Sequence, residues 1–118
     1  MKPVAKGERM VINLDDIVFE PYINSRGEED GLACQHDRSK PLGTGFHIYK
    51  MEPGYTTIPH QHRGNEEFLI LSGEVTDNDG TVYREGDLVL MKDGTQHCSY
   101  TEKGCVIVVY LEAPEAEV

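Results

Sequence analysis

The chain lacks any apolar run long enough to cross a membrane. A spanning helix needs about 18 or more such residues, whereas Cys105–Leu111, apolar throughout, is only seven residues long. It also lacks the apolar core of a signal peptide: the first ten residues are mixed and charged, so the expected compartment is the cytoplasm. Cysteines are few. Cys34, Cys98 and Cys105 make an odd count with no CxxC spacing, which reads as reduced thiols, not as a disulfide framework or a cysteine-rich zinc site. Cys105 opens the apolar run and reads as a small core residue. Basic residues are scarce as well. Eleven Lys and Arg against twenty-one Asp and Glu leave a net charge of −10, which argues against nucleic acid and against anionic membrane surfaces as partners. The acidic clusters Glu28-Glu29-Asp30, Asp77 with Asp79, and Glu112 with Glu115 and Glu117 read as solvated surface. No internal repeat or low-complexity segment occurs, and no stretch reads as a helix of more than two turns.

What is present is strand and turn. The length of 118 residues fits one domain, able to hide roughly two-thirds of its extended surface. Twelve glycines and six prolines break the chain into short runs rich in β-branched and aromatic residues, an all-β pattern. Val11–Leu14 is expected as a first strand, and loops dominate residues 24–44. Thr44–Met51 reads as a strand turned by Pro53-Gly54. Glu66–Leu71 reads as a strand with Glu66, Phe68 and Ile70 on one face and Glu67, Leu69 and Leu71 on the other, ending at Gly73. Asp77-Asn78-Asp79-Gly80 marks a hairpin. Leu88–Met91 follows, and Cys105–Leu111 reads as a strand buried on both faces, either between sheets or at a subunit interface.

Three histidines and a glutamate carry the chemistry. His60, His62 and Glu66 lie within seven residues, and His97 comes later in Gly94-Thr95-Gln96-His97. A His-x-His pair points to one face of a strand. Neutral imidazoles with one carboxylate suit Fe(II), Mn(II), Co(II), Ni(II) or Zn(II), and four protein ligands leave one or two positions open on a five- or six-coordinate ion. The spacing Gly54-x5-His60-x-His62-x3-Glu66-x6-Gly73 resembles the first motif of the cupin superfamily. The second motif, written Gly-x5-Pro-x-Gly-x2-His-x3-Asn, is matched by Gly86, Gly94 and His97, with Lys92 in place of the proline and Thr101 in place of the asparagine. Those two departures affect the turn, not the ligands. The runs His60–Gly80 and Gly94–Cys105 are similar to the ChrR-like branch, which holds the cupin domain of zinc-dependent anti-sigma factors and stands near dioxygenases that cleave diketones or hydroxyacetophenones. The anti-sigma factors carry an added helical zinc domain for which this chain has no room, so sigma-factor binding does not carry over.

The resemblance implies a single-domain double-stranded β-helix, the jelly-roll cupin barrel, with residues 1–43 packing on it, a core at 44–112 and an acidic tail at 113–118. It implies one divalent transition metal, Fe(II) favoured, on His60, His62, Glu66 and His97. Strand parity adds Phe68, Ile70 and Ser99 to the pocket wall, with Tyr49 or Ile48 from the preceding strand. His47 reads as a base close to the metal or, more plainly, as a half-exposed strand histidine. Arg63 and Glu67 read as surface charges, and His36 as a loop residue. The expected function is metal-dependent, dioxygenase-like chemistry on a small oxygenated molecule; isomerase or lyase chemistry is the variant. The alternative is a ligand-sensing regulatory module without turnover. A homodimer formed through edge strands and the outward Leu69 and Leu71 completes the expectation.

Overall fold

The run Cys105–Leu111 becomes the centre of the molecule. The computed structural model describes residues 1–118, and its strands in chain order are β1 (Glu20–Ile23), β2 (Glu29–Gln35), β3 (Gly45–Met51), β4 (His60–Gln61), β5 (Glu66–Asp77), β6 (Val82–Arg84), β7 (Leu88–Met91), β8 (Gln96–His97), β9 (Ser99–Tyr100), β10 (Cys105–Leu111) and β11 (Ala116–Glu117). Every pairing is antiparallel. One large curled sheet runs β1-β2-β3-β10-β5-β6, with β7 and β9 also on β5; a small sheet runs β11-β4-β8. The expected all-β barrel is therefore present, and no helix is long and apolar enough to cross a membrane.

Side-chain alternation builds the interior. On β10, Cys105, Ile107, Val109 and Leu111 are buried while Val106, Val108 and Tyr110 are half-buried, so within one chain the strand has a single inner face. On β5, Glu66, Phe68 and Ile70 point inward and Glu67, Leu69 and Leu71 outward. With Met51 and Val75 these apolar inner residues form one core. Burial pushes the Cys105 thiol up to about 11, which makes it an inert core residue.

Three sequence expectations need correction. Val11–Leu14 is not a strand: Asn13 accepts a hydrogen bond from the Asp15 amide and starts a single 3-10 turn, Leu14–Asp16. The stretch expected as loops contains β2. Its inward side chains include polar Asp30 and Gln35, which hid the alternation; Gln35 donates to the Asp37, Lys40 and Pro41 carbonyls and accepts from the Gly43 amide. Gly73 does not end β5. It takes φ 82°, and a Cβ there would lie 2.1 Å from the Gly104 carbonyl oxygen; just before it, between Ile70 and Ser72, the register against β10 shifts by one residue. Beyond that bulge the inward residues are Val75 and Asp77, odd instead of even.

Candidate metal centre

The small sheet brings the histidines together. β4 pairs with β8 so that His60 and His97 are direct cross-strand partners, and the His62 amide donates to the Thr95 carbonyl just beyond. The three ring centroids lie 4.7, 4.9 and 5.1 Å apart. The turn Arg63-Gly64-Asn65 then carries the chain into β5 and delivers Glu66, whose Oε1 stands 3.4 Å from His62 Nε2. All four spaced residues thus meet at one end of the barrel.

Each ring is held by its outer nitrogen. His60 Nδ1 lies 2.9 Å from the Ile58 carbonyl, which can only accept. His62 Nδ1 lies 2.9 Å from Thr95 Oγ1, whose hydroxyl already donates to the Lys92 carbonyl and so accepts from the ring. His97 Nδ1 lies 3.0 Å from Asp77 Oδ2. The protons therefore sit on Nδ1, and three Nε2 lone pairs face a shared space. Asp77 is buried, and burial alone would raise its pKa. Hydrogen bonds from His97, Ser99 and Tyr83 outweigh that and hold it below the usual carboxylate range, so it stays ionised behind His97. This orienting pattern is how metal-ligating histidines are fixed.

One more carboxylate faces the group. Glu115 Oε1 stands 3.4 Å from His60 Nε2. The donor atoms of His60, His62 and His97 lie within 4.8 Å of one another, as do those of His62, Glu66 and Glu115. His62 Nε2 is fully buried and has no hydrogen-bond partner. With the proton on Nδ1, that lone pair confronts a carboxylate oxygen, an arrangement of two acceptors that a cation resolves. Two donors each about 2.1 Å from one ion are roughly 3.0–3.4 Å apart at octahedral to tetrahedral angles. The residues present therefore fit a divalent metal. Without one, burial and the neighbouring His97 and His60 press the His62 pKa down to about 4, and burial with Glu115 and Asp77 pushes Glu66 well above its usual range.

The family model for the ChrR Cupin-like domain matches residues 28–114. The chain belongs to that cupin family. Among solved structures, the ChrR-like cupin is similar to a chain of the Rhodobacter sphaeroides complex of SigE with the anti-sigma ChrR (TM-score 0.63, 19% identity, 85% of this chain and 52% of that one). It thus spans about half the length of that relative. It is also similar to the polyketide cyclase RemF of Streptomyces resistomycificus (0.70, 17%, 93% and 85%) and to a predicted oxalate decarboxylase of Thermotoga maritima (0.63, 24%, 86% and 99%). At these identities the likeness shows the fold. No curated protein matches by sequence.

A cavity of about 70 Å³ adjoins the cupin's histidine cluster. Phe68, Ser99 and His47 line it; Ile70 does not, because it sits a step deeper on β5, 1% exposed in the core. His47 is 6% exposed, not half-exposed; burial lowers its pKa, and its Nδ1 donates to the Gly45 carbonyl. Tyr49 lines the cavity and Ile48 faces outward. Arg63 and Glu67 are exposed. Sequence reasoning missed Asp77, Thr95, Asp30, Tyr22 and Glu115. Asp77 was hidden by the bulge at Leu71, which reverses strand parity. Glu115 was hidden because no apolar alternation marks β11.

Proposed function

We propose that the chain is a metal-dependent small-molecule enzyme, with a divalent transition metal held by His60, His62, Glu66 and His97 and dioxygenase-like activity on a small oxygenated substrate. The observation that carries this reading is the orphaned, fully buried His62 Nε2, aimed with two other fixed imidazoles at one point beside a cavity. When bound, the ion supplies Lewis acidity and a template for the substrate's oxygens, and Fe(II) would add redox chemistry with dioxygen. The chain's own residues do the rest. Ile58, Thr95 and Asp77 hold the ring orientations. Phe68, Val75, Ile107 and Val109 keep the inner wall apolar and limit water.

The lining also bounds the substrate. No lysine or arginine lines the cavity, whereas Asp30, Glu66 and Glu115 do. A phosphate or a dianion with a free carboxylate has no counter-charge there. The volume holds only a handful of waters. A compact neutral molecule, or a monoanion that binds through the metal itself, fits. The test is metal analysis of protein purified without oxygen, then oxygen uptake against diketones, hydroxy ketones and small acids. Metal present with substrate-dependent uptake supports the enzyme. Zinc alone, with no turnover and a captured protein partner, favours the second reading, a regulatory module, to which the family and the SigE–ChrR likeness lend weight.

We also propose that two copies pair through the outer face of the large sheet. Cross-strand register aligns Cys34, Ile48, Val108, Leu69 and Leu88 in one apolar row, with Leu88 82% exposed. Light scattering should give a dimer for the parent protein and a monomer for Leu69→Glu.

A further inference from the structure

Glu115 reaches the site from a segment that no cupin motif includes. We propose that Glu115 is a fifth donor to the same ion, delivered by a C-terminal strap that crosses the mouth of the barrel. This rests on the metal reading above and extends it.

The strap is fastened on both sides of Glu115. Before it, the Glu112 amide donates to the Asn65 carbonyl, and the Glu112 carboxylate accepts from the Asn65 amide. After it, Ala116 and Glu117 pair with Gln61 and His60 on β4. The Glu117 carboxylate accepts from Arg26 Nε at 2.8 Å and from the Ser25 hydroxyl. Between these anchors the Glu115 side chain turns inward and is only 20% exposed. Its approach repeats that of Glu66: each carboxylate stands 3.4 Å from a different imidazole Nε2 whose lone pair faces it. No lysine or arginine accounts for this approach. Arg26 is engaged by Glu117, and neither lysine nor arginine lines the cavity. Three carboxylates drawn into one lining without a counter-charge need a cation from outside.

An ion held by all five donors would keep little room for a further ligand. Glu115 is the more exposed carboxylate, 20% against 9% for Glu66, and sits beside a two-residue strand. It is the carboxylate held less deeply of the two.

The experiment titrates the metal-free 118-residue chain with Zn(II) against a competing chelator, with thermal melts of the metal-free and loaded forms. Losing a true ligand costs at least the tenfold in affinity seen for supporting residues. Glu115→Gln should weaken Zn(II) binding by about tenfold or more, raise the melting temperature of the metal-free form by removing carboxylate repulsion, and shrink the metal-induced rise. Unchanged affinity, with binding abolished in His62→Ala, overturns Glu115 as a donor and leaves the four-residue site standing. A wild type that binds neither Zn(II) nor Co(II) overturns both. Should Glu115→Gln lower both the metal-free melting temperature and the affinity, Glu115→Asp decides: regained affinity supports ligation, and no regain overturns it.

Discussion

Along β5 the inward side chains pass from Ile70 through Phe68 to Glu66, and the character of the barrel interior changes with them. At the Ile70 level the neighbours are apolar and packed. At the Glu66 level, about 13 Å further along by strand rise, they are imidazoles and carboxylates that oppose one another. The inner level is built for stability: each fully buried aliphatic side chain there is worth roughly 1.5–3 kcal/mol. The outer level is built against it, since buried like charges and an unpartnered nitrogen all cost free energy in the empty protein. Such a cost is retained where a ligand supplies the missing interaction.

Removing His62 should give the largest separation of the two levels. His62→Ala is expected to abolish stoichiometric metal binding, measured by equilibrium dialysis with elemental analysis, while the metal-free form stays folded by circular dichroism. Next is Ile70→Ala, which opens a hole at the inner level and should cost about 2–5 kcal/mol in denaturant melts. The folded fraction of that variant should still load metal to the wild-type ratio. If Ile70→Ala removed binding and His62→Ala removed stability, the division of labour between the two levels would be wrong.

Acidity should expose the opposition between histidine and glutamate in the metal-free protein. His62 has a native pKa of about 4, below its ordinary 6.5. Its contribution to stability is whole above pH 6.5 and is lost as the pH falls through that interval, up to about 3 kcal/mol. Glu66 and Glu115 are both raised, chiefly by burial, so their contribution has the opposite sign: present below about pH 4.5 and lost as the pH rises through their native values. Between pH 4.5 and 6.5 the two trends cancel in part, and the metal-free protein should show a shallow pH dependence of melting. Glu66→Gln removes one opposing group, and melting temperature should then fall visibly on acidification over that range.

The sequence already displayed most of the inner level and half of the outer one. Period-two alternation in Glu66–Leu71 placed Glu66 and Phe68 on one inner face, and His-x-His spacing put two rings on one side of a strand. The rest was hidden for physical reasons. Asp77 follows a bulge at Leu71 that shifts strand parity by one, so counting from Glu66 points it the wrong way. Asp30 and Gln35 are buried polar residues on β2, and their polarity made a strand read as loop. Glu115 lies in an acidic stretch whose ordinary reading is solvated charge, and only the pairing of β11 with β4 turns it inward.

Asp77 gives the smallest and most diagnostic effect, because it touches neither cavity-bound ligand nor ion. Its carboxylate collects three donors: His97 Nδ1 at 3.0 Å, the Tyr83 hydroxyl at 2.7 Å and the Ser99 hydroxyl at 2.6 Å. Asp77→Asn keeps the shape but offers one acceptor oxygen and an NH2 where there were two oxygens. Either His97 loses its acceptor and the ring is free to turn, or Ser99 loses one and the NH2 must find a partner. Metal affinity should fall by about 10–100-fold, the range for groups that orient metal-bound histidines. Stability of the metal-free form should change far less than in Ile70→Ala, since the same substitution also removes a buried negative charge from beside Glu66, whose own acidity Asp77 helps to suppress. A variant with full affinity would mean that His97 is oriented by packing alone and that the Asp77 carboxylate plays no part in holding the ring.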